Sequence, residues 1–148
     1  MTLIRAILPT VHRRLVTING DAPLVDAAKL LSEMHTSLVV VCDPAGLIFG
    51  VITKADVVKQ ISHCQGCSCT TMVSDTMTRE VVSCNVDDRV LDAWHTMKDK
   101  GLRQIPIRDA DSKPVGVLYA SDALQELLKE VEYEELLLRD YVMGIGYQ

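Results

Sequence analysis

The chain repeats itself, without a gap, when residues 16–60 are laid over residues 82–126. The match is carried by valine, aspartate and glycine at the same points of both copies: Val16/Val82, Asp21/Asp87, Asp26/Asp92, Asp43/Asp109, Gly50/Gly116 and Asp56/Asp122. A self-match at a fixed offset indicates two copies of one supersecondary unit that stack on each other. The architecture is therefore an internal duplication, and the seam between the copies is the expected place for a ligand.

Each copy is too small to be stable alone. A unit of roughly 60 residues buries only a marginal core, so the two halves are expected to share one. Of the 148 residues, 48% are hydrophobic but only 4% aromatic, so aliphatic side chains must fill the interior. The chain therefore predicts one domain made of two halves.

The charge and the cysteine content exclude some classes of protein. The net charge is −5 and no run of lysine or arginine forms a stripe, so direct nucleic-acid binding is not expected. The apolar stretch Leu3–Leu8 contains Arg5 and is too short for a signal sequence or a membrane span. We therefore expect no membrane association and a cytoplasmic, reducing location, where the five cysteines would be thiols or metal ligands.

The hydrophobic pattern predicts the order β-α-β-β-α in each copy. In the first copy, a strand over 16–18 precedes an amphipathic helix with Asp21 as its cap. Hairpin strands over 38–42 and 47–53 and a helix over 54–61 follow. The hairpin is expected to be antiparallel because its connection is short.

The second copy repeats this order with a strand over 81–84, an apolar helical stripe and hairpin strands over 105–107 and 115–119. Pro106 predicts an edge position or a break in the hydrogen-bond ladder, because proline has no N–H to donate. The last helix is expected to run to about Tyr141, beyond the length of its counterpart.

The apolar run Leu136–Leu138 near the end of that helix has two interpretations. It can pack on the core of its own chain, or it can contact a second copy of the chain. The sequence leaves both open.

One motif closes each hairpin: Gly50-Val-Ile-Thr-Lys-Ala-Asp56 in the first copy and Gly116-Val-Leu-Tyr-Ala-Ser-Asp122 in the second. Thr53 is placed to cap the following helix, with Asp56 favouring the same end, and this structural role alone would explain both residues. A helix N-terminus also binds phosphate, whereas a carboxylate beside it suits the hydroxyls of a ribose. The motif therefore has both a structural and a nucleotide-binding interpretation.

The duplicated unit with this motif resembles the CBS domain pair, the family named after cystathionine β-synthase, over roughly residues 8–130. Two further segments support the resemblance: a lead-in to the second repeat over 73–78, and a basic-then-Pro-hydrophobic strand over 101–107. The resemblance implies an α+β fold in which two β-α-β-β-α repeats pack as one pseudo-twofold unit with a shared core.

The same resemblance divides the chain into five segments. Residues 1–15 form a lead-in that overlaps the first repeat, which covers 8–62. A cysteine-rich linker covers 63–72, the second repeat 73–130, and a C-terminal helix extension with a tail 131–148.

The resemblance implies a regulatory module, called a Bateman module, that binds AMP, ADP, ATP or S-adenosylmethionine in clefts between the repeats. Asp56 and Asp122 would hold ribose hydroxyls, with Ser121 beside the second of them. Thr53 and Arg103 would meet phosphate.

The backbone at the first-strand positions Val16 and Val82 would read the adenine. Two such pairs commonly form a disc-like homodimer, and the output would pass to an unidentified regulated protein.

The two motifs depart from the family pattern in different ways. Tyr119 replaces the threonine of the second motif, and the first copy has Ser37-Leu38 where the second has Arg103-Gln104. We therefore expect two sites that bind a ligand unequally, and binding of one ligand per chain is left open.

The linker contains Cys64, Cys67 and Cys69 within six residues, preceded by His63. These residues can hold a soft metal such as zinc, or Cys64 and Cys67 can form a redox pair. A plain linker loop is the third interpretation, because a second Cys-x-x-Cys is missing. Cys42 and Cys84 lie in predicted strands and are expected to be core residues.

Three functions are therefore weighed: an adenosine-ligand sensor, a thiol-based metal or redox sensor on the same scaffold, and a structural dimerisation module. An enzyme is not expected, because the sequence has no recognisable catalytic arrangement of side chains.

Overall fold

The computed structural model describes residues 2–63 and 71–146, with the backbone alone described for the last four. The first half contains α1 (Ile4–Val11), a 3₁₀ turn (His12–Arg14), β1 (Thr17–Asn19), α2 (Leu24–Glu33), β2 (Leu38–Cys42), β3 (Ile48–Thr53) and α3 (Lys54–His63). The second half contains α4 (Val73–Thr76), β4 (Cys84–Asn85), α5 (Val90–Lys100), β5 (Gln104–Arg108), β6 (Pro114–Tyr119) and α6 (Ala120–Gly146).

The predicted order β-α-β-β-α is confirmed in both halves. Each half has a three-stranded sheet, in the orders β1-β2-β3 and β4-β5-β6, with one parallel pair and one antiparallel hairpin. The hairpin registers also repeat: Val40 faces Val51 in the first sheet, and Pro106 faces Val117 in the second. The offset seen in the sequence is therefore preserved in the strand pairing.

The helical stripes explain how each half forms its own hydrophobic cluster. Leu24, Ala27 and Leu31 are the buried residues of α2, and they pack on strand residues such as Val39. The corresponding stripe of α5 packs on the second sheet in the same way. One face of each helix is thus apolar at the period of an α-helix, and that face is buried.

A third cluster joins the two halves and confirms the expected shared core. Leu38, Val40 and Val51 of the first sheet are buried together with Val117 of the second, and Tyr119 packs against them. The two sheets therefore meet through the hairpin strands that end in the repeated motif.

The lead-in segments are exchanged between the halves. Ile4 of α1 donates its backbone N–H to the carbonyl of Asp88 at 3.0 Å, and Val73 of α4 donates to Ala22 at 2.9 Å. Because Asp88 and Ala22 occupy the same position in the two repeats, these bonds obey the pseudo-twofold relation. Each half is therefore completed by the lead-in of the other.

Four local predictions differ from the structure. Pro106 lies on β5, the central strand, so the edge position is wrong and the ladder break is the correct alternative. The strand predicted over 81–84 is reduced to Cys84–Asn85. Asp21 does not cap α2, which begins at Leu24 with Pro23 in the cap position and no side-chain cap.

The fourth difference concerns α6, which continues to Gly146 instead of ending near Tyr141. Its residues Leu136–Leu138 are 50–64% exposed, so packing on the core of their own chain is wrong.

Candidate functional site

The first motif forms a reciprocal cap at the start of α3. The Asp56 carboxylate accepts hydrogen bonds from the Thr53 backbone N–H at 3.0 Å and the Thr53 hydroxyl at 3.1 Å. In return, the Asp56 N–H donates to the Thr53 hydroxyl oxygen at 3.3 Å. This is a capping box, so the structural interpretation of the motif is confirmed.

Thr78, from the lead-in of the second repeat, also contacts this carboxylate. Its hydroxyl donates to Asp56 at 3.2 Å, and its backbone exchanges two hydrogen bonds with Val51. The close approach requires Gly50, because a Cβ there would lie 2.9 Å from the Thr78 carbonyl oxygen. Among the described residues, the donors to Asp56 are all neutral, so its negative charge is not compensated by an ion pair.

A cavity of about 460 Å³ opens beside this motif, between the two repeats. Its wall contains Thr53 and Thr78, which hold Asp56, together with Val82 and Arg103 from the second repeat. Four of the residues proposed from the sequence, Thr53, Asp56, Val82 and Arg103, therefore lie in or beside one cleft. Apolar side chains complete the wall and would accommodate a flat ring.

The carbonyl oxygen of Val82 has no strand partner in this cleft. In the first repeat, Val40 donates its N–H to the corresponding carbonyl of Val16 at 2.9 Å. Pro106 takes the place of Val40 in the second repeat and has no N–H to donate. Among the described residues, no donor reaches the Val82 carbonyl, so it remains an open acceptor at the cavity wall.

The second motif faces a different cleft. Ser121 and Tyr119 line a cavity of about 470 Å³ together with Ser37. Arg103 lines both cavities and therefore lies on the wall between the two clefts. Val16 does not line this cavity and packs against the cluster of the first half.

The carboxylate of Asp122 is occupied by the chain itself. It accepts the Tyr119 backbone N–H at 3.2 Å and forms an ion pair with Arg14. The Asp122 side chain is only 12% exposed, and the Arg14 guanidinium lies 4.3 Å from the centre of the Tyr119 ring. In the first cleft the position equivalent to Arg14 is Glu80, which lines the open cavity.

Sequence reasoning did not assign roles to Arg14 and Thr78 in the site. Extending the repeat alignment two residues upstream would have placed Arg14 opposite Glu80 and revealed the charge reversal. No sequence pattern marked Thr78 as a partner of Asp56, since 22 residues separate them.

The proposed metal or redox residues Cys64, Cys67 and Cys69 lie outside the described residues. Within residues 2–63 and 71–146 no group of three or more metal-ligating side chains occurs. Cys84 is buried, as predicted for a core residue, and its burial, with a smaller effect of Asp88, raises the pKa of its thiol to about 12. Burial also raises the pKa of the Cys42 thiol, with Asp43 contributing, so both thiols stay protonated at neutral pH.

None of the helices in the described part of the chain combines the length and the apolar character needed to cross a membrane.

A pair of β-α-β-β-α repeats with ligand-sized clefts at their seam is the class of structure defined by these observations. The chain belongs to the CBS domain family, whose model matches residues 4–63 and 73–129. The resemblance stated from the sequence is thereby confirmed.

Two curated relatives are similar in sequence. A 17.7 kDa protein of Acidianus ambivalens is 29% identical over 115 residues, which cover 78% of this chain and 68% of the relative. The mitochondrial CBS domain-containing protein CBSX3 of Arabidopsis thaliana is 28% identical, with 86% of this chain and 63% of the relative covered. The match therefore spans about two thirds of each of these relatives.

Solved structures share the fold. The CBS-domain protein ATU1752 of Agrobacterium tumefaciens has a TM-score of 0.72 at 26% identity, with 84% of this chain and 92% of that chain covered. CBSX2 in complex with AMP has a TM-score of 0.72 at 23% identity, with 87% and 98% covered. The CBS pair of protein MJ0100 with 5′-methylthioadenosine and S-adenosylmethionine has a TM-score of 0.71 at 22% identity, with 88% and 98% covered.

Proposed function

We propose that this protein is a non-catalytic regulatory module that binds one adenosine-type ligand in the cleft between its CBS repeats. The candidate ligands are AMP, ADP, ATP and S-adenosylmethionine. In this proposal the first cleft is the ligand site, and the occupied cleft is read by a partner protein that remains to be identified.

The observation that carries the proposal is the grouping of complementary contacts around the first cavity. The Asp56 carboxylate, free of any ion pair among the described residues, would accept the two ribose hydroxyls. The open carbonyl of Val82 would accept the amino group of an adenine, and Arg103 with Thr53 would hold a phosphate or a carboxylate. These groups match the three parts of such a ligand.

The structures of CBSX2 with AMP and of MJ0100 with two adenosine compounds support this ligand class. Ligand bound between the repeats would connect them and shift the population of their relative arrangements, which is how such a module would act on a partner. Because the ligand contacts derive from both repeats, binding is also expected to stabilise the folded chain.

Isothermal titration calorimetry with AMP, ADP, ATP and S-adenosylmethionine tests the proposal. We expect one binding event per chain, lost in Asp56→Ala and retained in Asp122→Ala. Absence of heat with all four ligands at millimolar concentration, in protein freed of nucleotide, would exclude the proposed function.

The alternative of a metal or redox sensor rests on the linker cysteines alone and stays a prediction. Metal analysis of protein purified under reducing conditions, compared with a Cys64/Cys67/Cys69→Ser variant, decides it. Bound metal that disappears in the variant would favour that function.

A further inference from the structure

The second motif has a cation of the same chain beside its carboxylate. A ribose in this cleft would need the Asp122 carboxylate, but that carboxylate already forms an ion pair with Arg14. The same guanidinium covers the face of the Tyr119 ring. Both contacts would have to break before a ligand reached the position that corresponds to the Asp56 site.

We propose that Arg14 is an internal competitor that closes the second cleft and thereby sets the stoichiometry at one ligand per chain. This inference rests on the proposed function. A partly buried ion pair with a stacked arginine is costly to open, because it would leave the largely buried Asp122 carboxylate without a compensating charge, with only the Tyr119 N–H still donating to it. A cation held in this position would also repel the cationic sulfonium of S-adenosylmethionine.

The first cleft has the opposite charge at the position equivalent to Arg14, which supports the assignment of Arg14 as a competitor in the second cleft only. Glu80 replaces Arg14 at the equivalent position, and threonine replaces tyrosine at the end of the strand. Thr53 therefore neither blocks the cleft nor offers an aromatic face to a guanidinium.

Calorimetry with AMP and with S-adenosylmethionine tests the inference on three variants, each compared with the unmodified protein. Arg14→Ala is expected to add a second, weaker binding event, which an added Asp122→Ala removes. Weaker binding is expected because the Val16 carbonyl is still bonded to Val40. The matched control is Arg13→Ala, which removes the same charge from an exposed neighbouring position and should leave one event.

Each outcome separates the two proposals. Two events in the unmodified protein, or one event both in the unmodified protein and in Arg14→Ala, would overturn the competitor role and leave ligand binding intact. No binding to the unmodified protein and one binding event in Arg14→Ala would overturn the ligand site in the first cleft and support the competitor role of Arg14. No binding in either protein overturns both; thermal unfolding checks that each variant is folded.

A separate observation concerns the outer face of α6. Exposed apolar residues follow one another along this helix at alternating spacings of four and three residues, with one glutamate among them: Leu124, Leu128, Val131, Glu135, Leu138 and Val142. We define these six residues as the α6 seam. Apolar residues that alternate in this way are the pattern of a helix that pairs with another helix.

We propose that the α6 seam pairs with the same seam of a second copy of this chain, with the two helices antiparallel. Leu138 and Val142 are 64% and 60% exposed in the single chain, so they have no partner within it. A parallel pair would bring the two Glu135 carboxylates together in one layer of the interface, which is unfavourable. An antiparallel pair separates them and places each beside apolar residues, where Arg139 remains its partner.

The charges beside the seam fit the same orientation. Glu132 and Arg139 are seven residues apart and lie on the same flank of the seam. In an antiparallel pair equivalent flanks face each other, so Glu132 of one chain can approach Arg139 of the other, twice per dimer.

Sedimentation equilibrium of the full chain tests this pairing. We expect a dimer that Leu138→Glu converts to monomer. Leu136→Glu, which changes a leucine of similar exposure (57% against 64%) away from the seam, should leave the chain dimeric. Glu132→Arg and Arg139→Glu should each weaken association several-fold. The double variant should recover part of it, because it restores the pair between the chains but not the Glu135–Arg139 pair within each chain. A monomeric unmodified chain, or a dimer that survives both Leu138→Glu and Val142→Glu, would overturn the pairing; helical circular dichroism verifies folding.

Discussion

The carboxylates Asp56 and Asp122 occupy the same position of the two repeats, but their partners differ in charge. Asp56 accepts hydrogen bonds from hydroxyl and backbone donors, whereas Asp122 forms an ion pair with Arg14. The carbonyls of Val82 and Val16 differ in the same sense, since the first lacks a donor and the second is bonded to Val40. Among the described residues, the first cleft therefore has a carboxylate without an ion pair and a carbonyl without a donor, whereas in the second cleft the carboxylate is ion-paired and the carbonyl is hydrogen-bonded.

A duplicated scaffold can therefore keep its backbone and still give two different sites. Three differences between equivalent positions are sufficient to make the sites unequal. Glu80, Pro106 and Thr53 belong to the first cleft, and Arg14, Val40 and Tyr119 are their counterparts for the second. None of them changes the strand register, so the fold is preserved while the hydrogen-bonding capacity is redistributed.

The largest difference between the clefts is expected from their carboxylates. Asp56→Ala should weaken AMP binding on the order of 100-fold, because two hydrogen bonds to a charged group are lost. Asp122→Ala should leave the affinity unchanged. Calorimetry measures the AMP affinity of both variants. Equal losses of affinity would show that the ligand uses both carboxylates and both clefts.

The next effect concerns the cation shared by the two cavities. Arg103→Met keeps the apolar stem and removes the charge, so AMP binding should weaken about tenfold while adenosine binding is unaffected. The comparison of the two ligands is the control. An equal loss for adenosine would mean that Arg103 supports the cleft and does not contact the phosphate.

A smaller effect is expected at Pro106. Pro106→Ala supplies an N–H that can bond to the Val82 carbonyl, as Val40 bonds to Val16 in the other repeat. Binding of AMP should weaken about fivefold, because one hydrogen bond to the adenine amino group is lost. Inosine monophosphate, which lacks that amino group, should bind the variant and the unmodified protein equally. An unchanged affinity for AMP would show that the Val82 carbonyl does not read the base.

The smallest effect concerns stability. Thr53→Val removes the hydroxyl of the capping box and should lower the free energy of unfolding by about 1 kcal/mol. Tyr119→Phe at the equivalent position should have no effect, since the Tyr119 hydroxyl has no hydrogen bond among the described residues. Chemical denaturation compares the two, and equal losses would contradict the different roles of these residues.

Much of the fold could be predicted from the sequence because it depends on local periodicity. The apolar stripes of α2 and α5, the β-branched run Leu38–Cys42 and the short hairpin turns are patterns within a few residues of each other. The predicted grouping of Thr53 and Asp56 also follows from their spacing. The exchange of α1 and α4 between the halves was not predicted, because contacts between residues far apart in the chain, such as Ile4 with Asp88 and Val73 with Ala22, leave no mark in local patterns.

The sequence alone determined the duplication, the element order and the repeated motif that closes each hairpin, since these depend on which residue types recur at a fixed offset. Only the tertiary structure decided which cleft is open. Arg14 reaches Asp122 across 108 positions of the chain, and Pro106 matters only because β5 lies beside the segment that carries Val82. Side chains compete for the same acceptor in space, and that competition depends on distances that only the folded chain defines.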